Sequence, residues 1–106
     1  MGYDIYIGDS EDEALQSAHC VSISSQSHKS IMRYVYASTC PLMFRFCVYV
    51  QDDHMANCEL DDFAREIKDI KTEMRNDHCD QKVLDDLFNL VLLAKRENRG
   101  LYSISD

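Results

Sequence analysis

Leu60, Phe63, Ile67, Ile70 and Met74 recur at spacings of 3, 4, 3 and 4 residues, the period of an α-helix with one apolar face. A chain carrying that stripe must lay it on something. Residues 58–75 are therefore predicted to form an amphipathic helix against a core, with Asn57 able to act as its N-cap. Asn76 and Asp77 interrupt the pattern, and Asp77 can cap a second helix. The second helix carries Val83, Leu84, Leu87, Phe88, Leu90, Val91 and Ala94. It is apolar over more than half its circumference, which marks it as the central core element. Lys95, Arg96 and Arg99 suit its C-terminal dipole, and Gly100 suits a C′ stop.

The first half reads differently. Tyr3–Ile7 alternates aromatic and β-branched residues and is closed by Gly8, as in a strand. Ser10-Glu11-Asp12-Glu13 matches a capping box, which predicts a short helix burying Ala14, Leu15 and Ala18. A short strand is expected at Val21–Ile23, then a turn through Ser24–Ser27. Ile31–Ala37 reads as a strand, Ser38–Pro41 as a turn, and Met43–Val50 as a second strand. In that strand Phe44, Phe46, Val48 and Val50 would face one way, and Met43, Arg45, Cys47 and Tyr49 the other. Together the two form an antiparallel hairpin, and Leu101–Ser105 returns as a final strand. The fold class predicted is α+β: a single domain over residues 1–106, with a small antiparallel sheet of three to five strands packed by two C-terminal helices.

Charge bounds the function. The chain carries −8. Residues 1–18 hold five acids and no Lys or Arg, residues 19–50 no acid and three bases, and residues 51–86 twelve acids against five bases. Such a balance opposes direct binding to nucleic acid, which needs a basic patch. No stretch resembles a signal peptide or reaches the ~20 apolar residues of a membrane span. Cytoplasmic location is expected, with no membrane partner. Five cysteines without secretory context are read as free thiols, Cys47 buried in its apolar run.

Two acidic clusters are the candidate partner-binding residues. Asp62, Glu66, Asp69 and Glu73 sit at spacings of 4, 3 and 4 on one flank of the first helix, with Arg65, Lys68, Lys71 and Arg75 toward the other. Like charges four residues apart cost a helix ~0.2–0.5 kcal/mol per pair. One carboxylate per turn approximates the spacing of phosphates on a nucleic-acid strand. The plainer reading is a solvated face whose acids are offset by Arg33 or Arg45. The second cluster is Asp9, Glu11, Asp12 and Glu13, joined by Asp52 and Asp53 if those loops meet. Its plainer reading is favourable interaction with a helix dipole.

Catalytic and metal signatures are missing from the pattern. From Asp9, the sixth and twelfth positions are Ala14 and Cys20, where a calcium loop needs Gly and Glu. His54 and Cys58 are the one pair at helix spacing, short of a zinc set. No nucleophile motif or phosphate-cradling loop is present. No metal or cofactor is expected, and the chain is read as non-enzymatic. Tyr3 with Tyr6, or Tyr34 with Tyr36, would place rings on an outer sheet face, where Tyr favours interfaces.

A chain of this size and acidity, without catalytic motifs, is similar to small inhibitors such as phage anti-restriction and anti-CRISPR proteins and toxin-immunity proteins. The likeness is one of size and charge alone. The expected function is inhibition of a basic nuclease or nucleic-acid-binding effector, with nucleic-acid mimicry as one route. An immunity protein, an adaptor or homodimerising protein, and a small enzyme or metal-dependent regulator are the alternatives.

Overall fold

A computed structural model describes residues 2–35, 40–48, 53–75 and 78–105. The elements are β1 (Tyr3–Ile7), α1 (Glu11–Gln16), β2 (Cys20–Ile23), α2 (Ser25–Met32), α3 (Pro41–Val48), β3 (Asp53–Met55), α4 (Leu60–Glu73), α5 (His78–Arg96) and β4 (Leu101–Ser105). A 3₁₀ turn, Asn57–Glu59, leads into α4. The fold is α+β. Four strands form one sheet in the order β2-β1-β4-β3, every neighbour antiparallel.

Alternation along the strands gives the sheet two faces. Ile5, Ile7, Val21, Ile23, Met55, Leu101 and Ser103 are buried. They meet the α4 stripe of Leu60, Phe63, Ile67, Ile70 and Met74, and Leu84, Leu87, Leu90, Val91 and Ala94 of α5. Both helices predicted from periodicity thus pack on the sheet as expected, with Val83 and Phe88 half-buried at the margin. α5 also packs beside β2, and α3 beside β3 and α4.

Neither strand of the predicted hairpin is found among the described residues. Met43–Val48 belongs to α3, and Ile31–Met32 ends α2, so the expected hairpin does not form. Residues 36–37 and 49–50 of those strands, Tyr36 among them, lie outside the described residues. An apolar run of eight residues fits either period, and flanking chemistry decides. Pro41 sits at the first helical position, where its fixed φ and missing N–H are tolerated. The Ser24 side chain accepts the Ser27 N–H, so the Ser-rich turn is an N-cap. Tyr34 and Val35 follow in turns closed onto the Ile31 and Met32 carbonyls.

Smaller corrections have local causes. The Ser10 half of the predicted α1 capping box forms, its hydroxyl accepting the Glu13 N–H. However, α1 ends at Gln16, burying Ala14 and leaving Leu15 and Ala18 exposed. Asn57 does not cap its helix; its side chain donates to the Arg99 carbonyl at 2.9 Å. The α5 stop is Asn98, with φ 59°. Its N–H reaches the Lys95 carbonyl, and that of Arg99 reaches the Ala94 carbonyl, a Schellman closure. Gly100 serves a different need, because a Cβ there would lie 2.2 Å from the Met55 carbonyl oxygen. The outer-face tyrosines are Tyr6 and Tyr102, whereas Tyr3 and Tyr34 pack against the core. Asp77 lies outside the described residues.

Candidate functional site

The α4 acids do not share one environment. Asp62, Asp69 and Glu73 are exposed, but Glu66 is only 5% exposed. Its two carboxylate oxygens accept the N–H groups of Met43 at 2.9 Å and Leu42 at 3.3 Å. These are first-turn donors of α3, orphaned by helix geometry. Cys40, at the α3 entry, offers only a weak sulfur acceptor, and Pro41 has no N–H to place. Phe44 bonds back to the Cys40 carbonyl. Glu66 therefore caps α3 from a neighbouring helix. A strand at Met43 could not use this carboxylate so, because successive strand N–H groups point to opposite edges.

Burial pushes the Glu66 carboxyl above the ordinary glutamate value. The bonds from Met43 and Leu42 pull the other way without overcoming it, and Asp62 adds to the rise. The expectation that all four stripe acids stand beside the apolar seam is thus corrected at Glu66.

The α3–α4 junction leaves a groove of about 320 Å³, lined by Leu42, Cys58, Glu59, Asp62, Arg65 and Asp69 among others. Arg65 pairs with Asp62 at 2.6 Å, and Arg45 pairs with Glu59 at 3.1 Å. Burial raises the Glu59 carboxyl, but hydrogen bonds from Arg45 and the Ala56 N–H outweigh it and hold it below the ordinary glutamate value. Arg45 thus pairs with Glu59. Asp69 and Glu73 have no ion-pair partner among the described residues. Lys71 faces α5, paired with Asp85, and Lys68 lies over the Phe88 ring.

The second cluster also divides. Asp9 Oδ1 accepts the Gly100 N–H at 3.0 Å and lies 2.9 Å from His54 Nε2. This contact brings β3, and so the Asp53 backbone, beside the Asp9 loop. Asp52 lies outside the described residues. The Glu13 carboxylate accepts from the Ser10 hydroxyl at 3.5 Å and sits 3.9 Å from Arg99. Glu11 and Asp12 remain exposed. The clusters do not merge, because the basic end of α5 stands between them: Lys95 pairs with Asp61, and Arg99 approaches Glu13.

Among the described residues no group of three or more His, Cys, Asp or Glu side chains is placed to hold a metal ion, and no helix is long and apolar enough to cross a membrane. Cys40 is buried; Cys20 and Cys58 are exposed. The side chain of Cys47 lies outside the described set. Sequence reasoning also missed a row across the open sheet face, Cys20–Tyr6–Tyr102–His54, in which each residue stands opposite the next. Alternation in β1 and β4 marks Tyr6 and Tyr102, but the register that aligns the row is tertiary. No family model, curated protein or solved structure matches this chain.

Proposed function

We propose that this chain is a small, non-enzymatic acidic protein that captures and inhibits a basic protein partner, a nuclease or other nucleic-acid-binding effector, through the acidic flank of α4. The observation that carries the reading is the exposed Asp69/Glu73 pair. It spends like-charge repulsion on the helix surface, has no counter-ion among the described residues, and continues the acid-lined α3–α4 groove. Complementary charge of this kind speeds association and selects partners.

With Glu66 withdrawn into the fold, Asp62, Asp69 and Glu73 span ~16 Å of helix at 1.5 Å per residue. A DNA strand presents a phosphate every ~3.4 Å. Three carboxylates are too sparse to copy that ladder, which favours charge-steered capture over mimicry. Anti-defence and toxin-immunity roles both use such a surface. A cytoplasmic location belongs to the same proposal, where reduced thiols and nucleic-acid enzymes coexist.

The test compares wild type with a triple Asp62→Lys, Asp69→Lys, Glu73→Lys variant. Affinity capture from cell lysate should retain a basic protein that salt elutes. The triple variant, folded by circular dichroism, should associate with it at least ~10-fold more slowly at low salt. Unchanged binding by the variant refutes the α4 surface. A salt-sensitive gel shift of the wild type with DNA or RNA refutes the acidic-inhibitor reading itself.

A further inference from the structure

The sheet order leaves β2 at an edge, with β1 as its one strand neighbour among the described residues. One side of its backbone therefore presents N–H and C=O groups that no strand of this sheet pairs. Proteins commonly blunt such edges with Lys, Pro or a bulge. Cys20-Val21-Ser22-Ile23 carries no charge and no proline, and it pairs with β1 in unbroken register.

Beside this strand lies an open groove of about 420 Å³ whose far wall is α5. Val21, Val83, Leu90 and Leu93 give it apolar surface, and His19, Ser22 and Asn89 polar surface; among the described residues Asp86 is its one acid, and no Lys or Arg lines it. Cys20, Ser22 and Asp86 are exposed. An edge strand facing a helix across an open groove of mixed polarity is an arrangement that can accept an added strand: main-chain bonds supply affinity, and alternate side chains enter the groove.

We infer that the β2–α5 groove receives an extended basic peptide segment, which adds to β2 as a fifth strand. Its alternate aliphatic side chains lie on Val83, Leu90 and Leu93, and a Lys or Arg meets Asp86. Charge selects this occupant. Among the described residues Asp86 is the one carboxylate in the groove, with no Lys or Arg beside it, on a chain of net −8. A second copy joined edge to edge would instead bring two like-charged chains together with both Asp86 residues at one seam. The groove lies on the β2 side of α5, whereas α4 meets α5 through Lys71–Asp85 and Lys95–Asp61. The inference is therefore independent of the α4 surface.

The probe is a displayed library of random dodecapeptides, panned on the wild-type chain at low salt and counter-selected on Asp86→Lys. Enriched peptides should alternate aliphatic residues with Lys or Arg. A synthetic copy should shift the amide resonances of residues 18–23 and of Asp86, Asn89 and Leu93, and slow exchange of β2 amides. Asp86→Lys should weaken binding ~10-fold or more, as for a charge pair at an interface. N-methylation along one backbone edge of the peptide should abolish binding, and along the other edge should spare it. The triple α4 variant should bind the peptide like wild type. No enrichment over a blank surface, shifts confined to the α3–α4 groove or the open sheet face, or indifference to Asp86→Lys and to N-methylation overturns the inference. Shifts of residues 18–23 on raising protein concentration alone would assign the edge to a second copy and overturn it too.

Discussion

Replacing Glu66 probes the joint between α3 and α4. In Glu66→Ala, two first-turn N–H groups of α3 lose their acceptor. The two losses are unequal. Leu42 is half-buried beside the groove, so water can replace the 3.3 Å bond at small cost. Met43 is 1% exposed, and its donor has no access to solvent. An unsatisfied buried donor costs ~1–3 kcal/mol, and a lost helix cap ~1 kcal/mol. Removing a buried charge returns part of this, since burial already disfavours the ionised form. The net expectation is a loss of ~2–3 kcal/mol for Glu66→Ala and ~1 kcal/mol for Glu66→Gln, which keeps one carbonyl acceptor. Urea unfolding at pH 7, followed by circular dichroism, measures both.

The pH dependence has a definite sign. The native pKa of Glu66 is raised, so between the ordinary glutamate value of 4.5 and the native value the folded chain holds a proton that the unfolded chain has lost. The Glu66 contribution is fully present below that window and falls as pH rises through it. The advantage of wild type over Glu66→Gln should therefore shrink from pH 4 toward pH 7. A Glu66→Ala loss below ~0.5 kcal/mol, against the ~1 kcal/mol of an ordinary cap, would refute the capping role.

Three further outcomes test the frame. Ile67→Ala, at a site with 0% exposure, should lower stability by ~2–5 kcal/mol in urea unfolding through the cavity it leaves. Gly100→Ala should cost at least ~1–3 kcal/mol, because the new methyl meets the Met55 carbonyl and Asp9 Oδ1 at 2.6 Å; a thermal melt unchanged from wild type would show that the β3–β4 junction yields. Brief maleimide treatment of native protein, read by peptide mass mapping, should label Cys20 and Cys58 and leave Cys40 unmodified until urea is added.

Strong local period made the later elements legible. α4, α5, β1 and β4 each repeat one pattern over several turns or pleats, and each stands where the pattern puts it. α2 and α3 were missed because short segments fit two periods. Ser24–Ser27 resembles both a turn and a cap, and Met43–Val48 is apolar except at Arg45, so neither period stands out. The misreading of α3 propagated to the site. Without a helix N-terminus beside α4, nothing in the 62–73 spacing separates Glu66 from its neighbours. Asp9 was illegible for another reason, since its partners His54 and Gly100 are 45 and 91 residues away.

The place of β4 governs when this molecule can exist during its own synthesis. β4 lies between β1 and β3, pairing Tyr3 with Ser105 and Met55 with Leu101. Until residue 105 leaves the ribosome, the β1–β2 ribbon and β3 have no strand in common. Isolated two-stranded ribbons are marginal in water, and closing a chain of ~100 residues costs conformational entropy and slows the search. The apolar faces of α4 and α5 emerge first, at ~5–20 residues per second, with no completed sheet to cover them. A nascent chain stalled at residue 98 would hold all five helices and three strands but lack the strand that joins them. It should be protease-sensitive throughout, whereas a chain seven residues longer carries the strand that joins the sheet and should gain protection.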